Sequence, residues 1–158
     1  FELNSTLGRK IGPQNFRGKV IIVFFGYTSC PDICPITLIT IKDALERLEP
    51  NEVEKVQPLF ISVDPERDKL DGMKQFLMFF HSSLVGLTGS AEELKAVAKK
   101  FGSAYMKDAR SDSAADYLIA HSGYVYLMDQ QGRTRALYRT SNKAEEMVEG
   151  IRKLLREE

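Results

Sequence analysis

The sequence contains only two cysteines and two histidines among 158 residues, so few side chains could carry metal or redox chemistry. Two cysteines are too few for a scaffold held by disulfides, and a chain of this length can bury a sufficient core without them. Charge of one sign is also lacking, because 22 Lys and Arg balance 22 Asp and Glu. Such a chain has no bulk field that attracts nucleic acid or anionic lipid. Nucleic-acid binding is therefore not expected.

Long hydrophobic runs are absent as well. The longest, Val20 to Phe25, is far too short to span a bilayer. The first residues, Phe1 to Asn4, have neither the basic start nor the apolar stretch of a signal peptide. The sequence therefore predicts a globular domain with ordinary proportions of apolar and charged residues.

Two buried strands are predicted in the first half of the chain. Lys19 to Phe25 and Pro58 to Val63 are continuous apolar runs rich in β-branched and aromatic residues. Such runs are typical of strands covered on both faces of a parallel sheet. Residues 1–18, which contain three glycines, indicate a loose hairpin or an irregular edge, and Leu84 to Leu87 a short edge strand.

Four amphipathic helices alternate with these strands. They are predicted from between Cys30 and Pro35 to just before Pro50, from Asp68 to Phe80, from Ser90 to Gly102, and from Asn142 onward. Pro35 limits the first start, because proline is tolerated only in the first turn of a helix. Ser90 with Glu93, and Asn142 with Glu145, have the spacing of capping boxes.

A hairpin is predicted between the last two helices, after a polar loop or disordered insert from Asp108 to Asp116. Its strands run from Tyr117 to Met128 and from Thr134 to Arg139. Strands that alternate with helices indicate a parallel sheet covered on both faces. This order predicts an α/β, three-layer, thioredoxin-like fold with an N-terminal hairpin extension, in a single domain over residues 1–158.

Both cysteines lie in the turn Phe25-Gly26-Tyr27-Thr28-Ser29-Cys30-Pro31-Asp32-Ile33-Cys34-Pro35. A helix N-terminus favours thiolate over thiol, and thiolate is the form that attacks disulfides and binds metals. Sulfurs at positions i and i+4 can chelate a metal ion or join as a disulfide. The spacing is one residue longer than the Cys-x-x-Cys of thiol oxidoreductases. The turn predicts a metal site or a redox pair rather than two inert core cysteines.

A third metal ligand would have to be one of a few residues. Two thiolates suit Cu(I), and a nitrogen ligand would extend the range to Cu(II) or Zn(II). His81 ends a predicted helix and is expected to be structural. His121 lies at a strand whose end faces the cysteine turn in a thioredoxin-like sheet, so it is the favoured ligand. Asp64, at the end of the second strand, is either a site residue or the cap of a turn.

The methionines are expected to fill the core rather than to bind metal. Met73, Met78 and Met147 fall in predicted helices, and Met106 and Met128 flank the sheet.

With these residues in view, the chain resembles the Sco (SenC) family of copper-binding, thioredoxin-like proteins over nearly its whole length. The turn around Cys30 and Cys34 looks like the cysteine motif of the family. Three further motifs are similar, in order: Phe60-Ile61-Ser62-Val63-Asp64-Pro65-Glu66-Arg67-Asp68, Leu87-Thr88-Gly89-Ser90, and His121-Ser122 followed by Tyr126-Leu127-Met128-Asp129.

The resemblance implies that Cys30, Cys34 and His121 bind one copper ion, Cu(I) or Cu(II). It implies a role in maturing the copper A site of cytochrome c oxidase, by delivering copper or by reducing the cysteines of the copper A subunit. A copper donor protein would be a second partner. The resemblance further implies an N-terminal membrane or lipid anchor, a monomer, and a periplasmic location or, as the less favoured alternative, the mitochondrial intermembrane space.

Two positions depart from the family pattern. Ser29 stands where many members carry His, and Ala120 stands before His121 where members commonly carry Asp. A carboxylate beside the imidazole could orient it, so its loss bears on metal affinity or on the partner.

The alternative function is that of a thiol–disulfide reductase, in which Cys30 and Cys34 are the catalytic redox pair. Its substrate would be the oxidase subunit, or it would act in oxidative-stress defence. Thioredoxins place a cis-proline opposite the cysteine pair, whereas this chain has no proline after Pro65. The peroxidase motif Pro-x-x-x-Thr-x-x-Cys is absent too. These features favour the metal site.

Overall fold

The computed structural model describes residues 1–28, 33–66, 68–105, 124–139 and 142–157, with the backbone alone at 33, 34 and 102–105. The strands are β1 (Leu3–Ser5), β2 (Lys10–Ile11), β3 (Val20–Gly26), β4 (Val56–Ser62), β5 (Val85–Thr88), β6 (Val125–Met128) and β7 (Thr134–Tyr138). The helices are α1 (Ile33–Arg47), α2 (Pro50–Val53), α3 (Leu70–Met78), α4 (Ala91–Tyr105) and α5 (Ala144–Arg156), and Pro13–Phe16 forms a short 3-10 helix.

All seven described strands belong to one sheet, in the order β2-β1-β5-β4-β3-β6-β7. The pairs β3–β4 and β4–β5 are parallel, and the other pairs are antiparallel. The carboxyl ends of β3, β4 and β5 therefore lie at one edge, which we call the carboxyl edge. Because β6 runs antiparallel to β3, the chain enters β6 at that same edge.

Two hydrophobic clusters cover the two faces of this sheet. On one face, alternate residues of β3 pack with α1, α3 and α5; on the other they pack with α4. In β3, Val20, Ile22 and Phe24 belong to the first cluster, and Ile21, Val23 and Phe25 to the second. Because both faces are covered, every residue of β3 is buried, which explains the continuous apolar run. The predicted three-layer α/β arrangement is confirmed.

Several local predictions are confirmed at atomic detail. The hairpin of residues 1–18 is β1 with β2, and the late hairpin is β6 with β7. The Ser90 capping box is present: the Glu93 N–H donates to Ser90 Oγ at 3.1 Å, and the Ser90 N–H donates to Glu93 Oε1 at 3.0 Å. Of the predicted strand Tyr117 to Met128, residues 117–123 lie outside the described ranges, as does the predicted loop Asp108 to Asp116.

Other predictions were wrong in extent or in place. The strand β5 is not an edge strand, because β1 pairs with it on the side away from β4. The helix α4 continues to Tyr105 instead of ending at Phe101–Gly102. The chain after α1 was not predicted to be helical, yet Pro50 begins α2, in a first turn where its missing N–H has no cost.

The start of α3 and the cap of α5 also differ from the predictions. The helix α3 begins at Leu70 rather than at Asp68, whose carboxylate is bonded elsewhere. At α5 the capping carboxylate is Glu146 rather than Glu145, since Glu146 Oε1 accepts the Lys143 N–H at 3.0 Å. No helix among the described residues is long and apolar enough to cross a membrane.

Candidate functional site

The cysteine turn connects β3 to α1 at the carboxyl edge. The strand ends at Gly26 and the helix begins at Ile33, inside the window that Pro35 predicted. Cys34 is the second residue of α1, and the structure describes its backbone only; Cys30 lies outside the described residues. The turn thus connects β3, a buried interior strand, to the N-terminus of a 15-residue helix.

The N-terminus of α1 is electrostatically suited to an anion. Its first N–H groups have no partners within the helix, and the helix dipole places partial positive charge there. The first turn contains no acidic residue that would offset this charge. Pro35 lies in the same turn, where its missing N–H has no cost. Cys34 therefore occupies a backbone position that stabilises a thiolate.

His121 lies outside the described residues, but β6, which follows it in the sequence, begins at the carboxyl edge. The register pairs Phe24 of β3 with Val125, the first residue of β6. The chain thus enters β6 beside the last residues of β3. That edge is the one at which the cysteine turn leaves the sheet.

A buried carboxylate lies directly beside the start of the cysteine turn. Asp68 is 2% exposed, and its Oδ2 accepts the Thr28 N–H at 3.1 Å and the Ser62 hydroxyl at 2.6 Å. The Thr28 hydroxyl donates to the other oxygen, Oδ1. Thr28 follows β3, and Ser62 ends β4. Asp68 therefore joins the ends of two neighbouring parallel strands, and we call these three residues the Asp68 clamp.

Asp64 takes part in the turn that carries Asp68. Its N–H donates to Ser62 Oγ at 3.1 Å, and its carbonyl accepts the Asp68 N–H at 2.9 Å. These bonds place Asp64 in a turn, but they involve only its backbone, so they do not test whether its side chain caps that turn. A direct role of its carboxylate in the site stays a prediction.

His81 lies away from the carboxyl edge, as expected of a structural histidine. It precedes β5, and so lies toward the opposite edge of the parallel strands. Its Nδ1 accepts the Ser83 N–H at 3.1 Å and lies 2.7 Å from the Ser83 hydroxyl oxygen. Burial lowers the pKa of His81, while nearby Glu46 acts to raise it and Lys42 to lower it.

The described methionines mostly fill the core. Met73, Met128 and Met147 are buried, whereas Met78 is 64% exposed at the end of α3. Met106 lies outside the described residues. Among the described side chains, no group of three His, Cys, Asp or Glu residues could hold a metal ion; two of the three predicted ligands, Cys30 and His121, lie outside that set, and for Cys34 only the backbone is within it.

Asp129, from the last of the similar motifs, lies where β6 ends, at the edge of the sheet opposite the carboxyl edge. It is 1% exposed, and its Oδ1 accepts the N–H groups of Gln131 and Arg133, each at 3.0 Å. Its Oδ2 accepts side-chain bonds from Arg133 at 2.9 Å and Arg135 at 3.3 Å. Burial alone would raise the pKa of Asp129, but these bonds lower it. The residue closes the β6–β7 hairpin, at a distance from the cysteine turn.

The role of the Asp68 clamp was not predicted from the sequence. The sequence patterns predict Asp68 at the start of α3 and Thr28 within the cysteine turn, and neither pattern indicates a bond between them. One signal was available: Thr28 and Ser62 are hydroxyl residues at the ends of two apolar runs, and parallel strands bring their carboxyl ends together. A carboxylate that follows closely is a natural acceptor for both.

Comparison with known proteins agrees with this architecture. The sequence model of the SCO1/SenC family matches residues 1–156. Protein SCO1 homolog 1, a mitochondrial protein of Arabidopsis thaliana, is 39% identical over 157 residues, which are 99% of this chain and 46% of that protein. A SCO2-like protein of Rickettsia conorii is 33% identical over 152 residues, or 96% of this chain and 74% of that protein. The chain thus spans about half of the plant relative.

The solved structure of a related protein has the same fold. The crystal structure of Arabidopsis thaliana ScoI with copper bound superposes with a TM-score of 0.81 at 38% identity, covering 100% of this chain and 97% of that one. The thioredoxin-like fold predicted from the sequence is confirmed. Because the family match extends from the first residue to the end of α5, the chain belongs to the SCO1/SenC family.

Proposed function

We propose that this chain binds one copper ion, Cu(I) or Cu(II), through the thiolates of Cys30 and Cys34 and the imidazole of His121. The observation that carries the proposal is the geometry of the carboxyl edge. There β3 leads into the cysteine turn, and the antiparallel register of β6 places its first residue, Val125, beside Phe24 at the same edge.

The donor set fits copper. Thiolates are soft ligands that select Cu(I), and imidazole is a common ligand of Cu(II). Cys34 is the second residue of α1, where the helix N-terminus favours the deprotonated sulfur that a metal requires. A relative that is 38% identical holds copper in its crystal structure, which supports the same cargo here.

The recipient that we propose is the copper A subunit of cytochrome c oxidase, and a separate protein would donate the copper. We further propose that the chain acts as a single domain, a monomer, held at a membrane through a segment ahead of it. Its relatives include a mitochondrial and a bacterial protein. We propose the periplasmic face of a bacterial membrane as its location, with the mitochondrial intermembrane space as the alternative.

A second candidate function is supported by the same helix start. A thiolate at the first turn of α1 is a nucleophile as well as a ligand. As a reductase, the protein would oxidise its own two thiols to a Cys30–Cys34 disulfide and reduce one disulfide of the recipient to two thiols. The two functions need the same residues, and they differ in whether metal is required.

Anaerobic titration of the reduced protein with Cu(I), against a chelator that competes for the metal, tests the copper proposal. We expect about one equivalent of copper per chain, held against the chelator, because two thiolates suit Cu(I). Copper binding without a defined stoichiometry would contradict the proposal. In a parallel assay, metal-free protein is mixed with the oxidised copper A subunit: reduction of its disulfide without copper would favour the reductase.

A further inference from the structure

We propose that Asp68 is a positioning residue for the cysteine turn: it fixes the point at which the turn leaves the sheet, and thereby sets how the sulfurs of Cys30 and Cys34 meet. This inference rests on the proposed function in one respect, since it concerns the same pair of thiols. It is carried by the hydrogen bonds of the Asp68 clamp.

The clamp uses both oxygens of a carboxylate that is almost completely buried. One oxygen accepts the Thr28 hydroxyl, and the other accepts the Thr28 N–H at 3.1 Å and the Ser62 hydroxyl at 2.6 Å. A buried carboxylate is costly unless donors surround it, and three donors do so here. The residue is thus held in one place by groups on two different strand ends.

The bonds to Thr28 act on the residue two positions before Cys30. Both its backbone and its side chain are bonded to Asp68, so the position and the orientation of this residue are fixed together. The end of β3 is anchored as well, because the N–H of Val63, which follows β4, donates to the Gly26 carbonyl at 2.8 Å. The end of β4 therefore determines the position of Thr28, from which the chain continues toward Cys30.

The other thiol belongs to a different rigid element. Cys34 lies in the first turn of α1, whose buried stripe packs against the sheet. With one end of the turn held by α1 and the other by Asp68, we expect the separation open to the two sulfurs to be restricted. Disulfide formation and chelation both depend on that separation. Loss of the clamp should weaken both.

The test measures two properties in a set of variants: the midpoint potential of the Cys30–Cys34 disulfide and the affinity for Cu(I). In Asp68→Ala we expect disulfide formation to become about tenfold less favourable, which raises the midpoint potential by about 30 mV. We expect copper affinity to fall about tenfold, the lower end of the range for residues that orient metal ligands. In Asp68→Asn we expect values near those of the wild type. Its amide oxygen can accept from Thr28 N–H and Ser62, and its NH₂ can donate to the Thr28 hydroxyl oxygen.

Asp129→Ala is the matched control, because Asp129 is equally buried and hydrogen-bonded but lies at the opposite edge. It should lower the midpoint temperature of unfolding and leave the potential and the copper affinity unchanged. If Asp68→Ala does not fold, Thr28→Val and Thr28→Ser replace it. Valine loses the side-chain bond while serine keeps it, so only valine should shift the potential.

Wild-type values of both properties in a folded Asp68→Ala protein would overturn the inference, as would equal shifts in Asp129→Ala. The potential is measured without metal. If the wild type binds no copper, the proposed function fails, and the potential alone then decides whether Asp68 positions the turn.

Discussion

Cys30→Ser and Cys34→Ser variants should each lose tight copper binding. Replacement of either sulfur leaves one thiolate, and a hydroxyl is a poor ligand for Cu(I). Changing a residue that only supports a metal ligand costs roughly tenfold to hundredfold in affinity. The loss here should be larger, because a ligand itself is removed. The measurement is competition between each reduced variant and a Cu(I) chelator under anaerobic conditions.

Ser29→Ala is the control for this pair, since it changes the same turn and keeps both thiols. It should bind copper as the wild type does. All three variants should retain the wild-type circular dichroism and thermal midpoint, because they leave the described hydrophobic clusters unchanged. One equivalent of copper that survives removal of both thiols would contradict the assignment.

Phe60→Ala should destabilise the fold more than any single change at the surface. Phe60 is completely buried in β4, and its ring packs edge-to-face on Phe24 at 5.5 Å and against Phe76 at 6.4 Å. It joins β3, β4 and α3. Truncation leaves a cavity among these elements, and changes of this kind cost about 3–5 kcal/mol of unfolding free energy. Denaturant unfolding, followed by circular dichroism, measures the loss.

Phe79→Ala is the matched control for Phe60→Ala. The Phe79 side chain is 86% exposed after the end of α3, so its removal creates no cavity. The expected change is within about 0.5 kcal/mol. A loss at Phe60 no larger than that at Phe79 would show that the core is not packed as described. Because domains have only about 5–15 kcal/mol of stability, the loss in Phe60→Ala should be easy to measure.

Local patterns in the sequence predicted the structural features that depend on residues close together along the chain. Ser90 and Glu93 are three residues apart, and the box they form needs only the first turn of a helix. The start of α1 follows from Pro35 in the same way, and the two-sided burial of β3 follows from its unbroken apolar run.

Competition between neighbouring polar groups explains the cap that was misassigned. Asn142 appeared to be the cap of α5, but its Oδ1 accepts the Arg139 N–H at 2.6 Å and so closes the preceding turn. Lys143 then becomes the residue before the helix, and the capping carboxylate moves from Glu145 to Glu146. The two alternatives differ by a single residue, and the sequence offers both.

Contacts between distant residues could not be predicted from local patterns. The edge of β5 is covered by β1, through pairs such as Ser5 with Leu87. Thr28 and Asp68 are 40 residues apart, and only the parallel pairing of β3 with β4 brings them together. The cysteine pair and its place on the fold were predictable from sequence, whereas the carboxylate that supports the turn was not.

X-ray absorption at the copper edge tests the central claim most directly, because it identifies the atoms around the metal. For protein loaded with Cu(II), we predict two sulfur ligands and the multiple-scattering pattern of one imidazole. That pattern should disappear in His121→Ala and persist in His81→Ala, since His81 is bonded to Ser83 away from the carboxyl edge. A copper shell of nitrogen and oxygen alone, or an imidazole signal that survives in His121→Ala, would contradict the account.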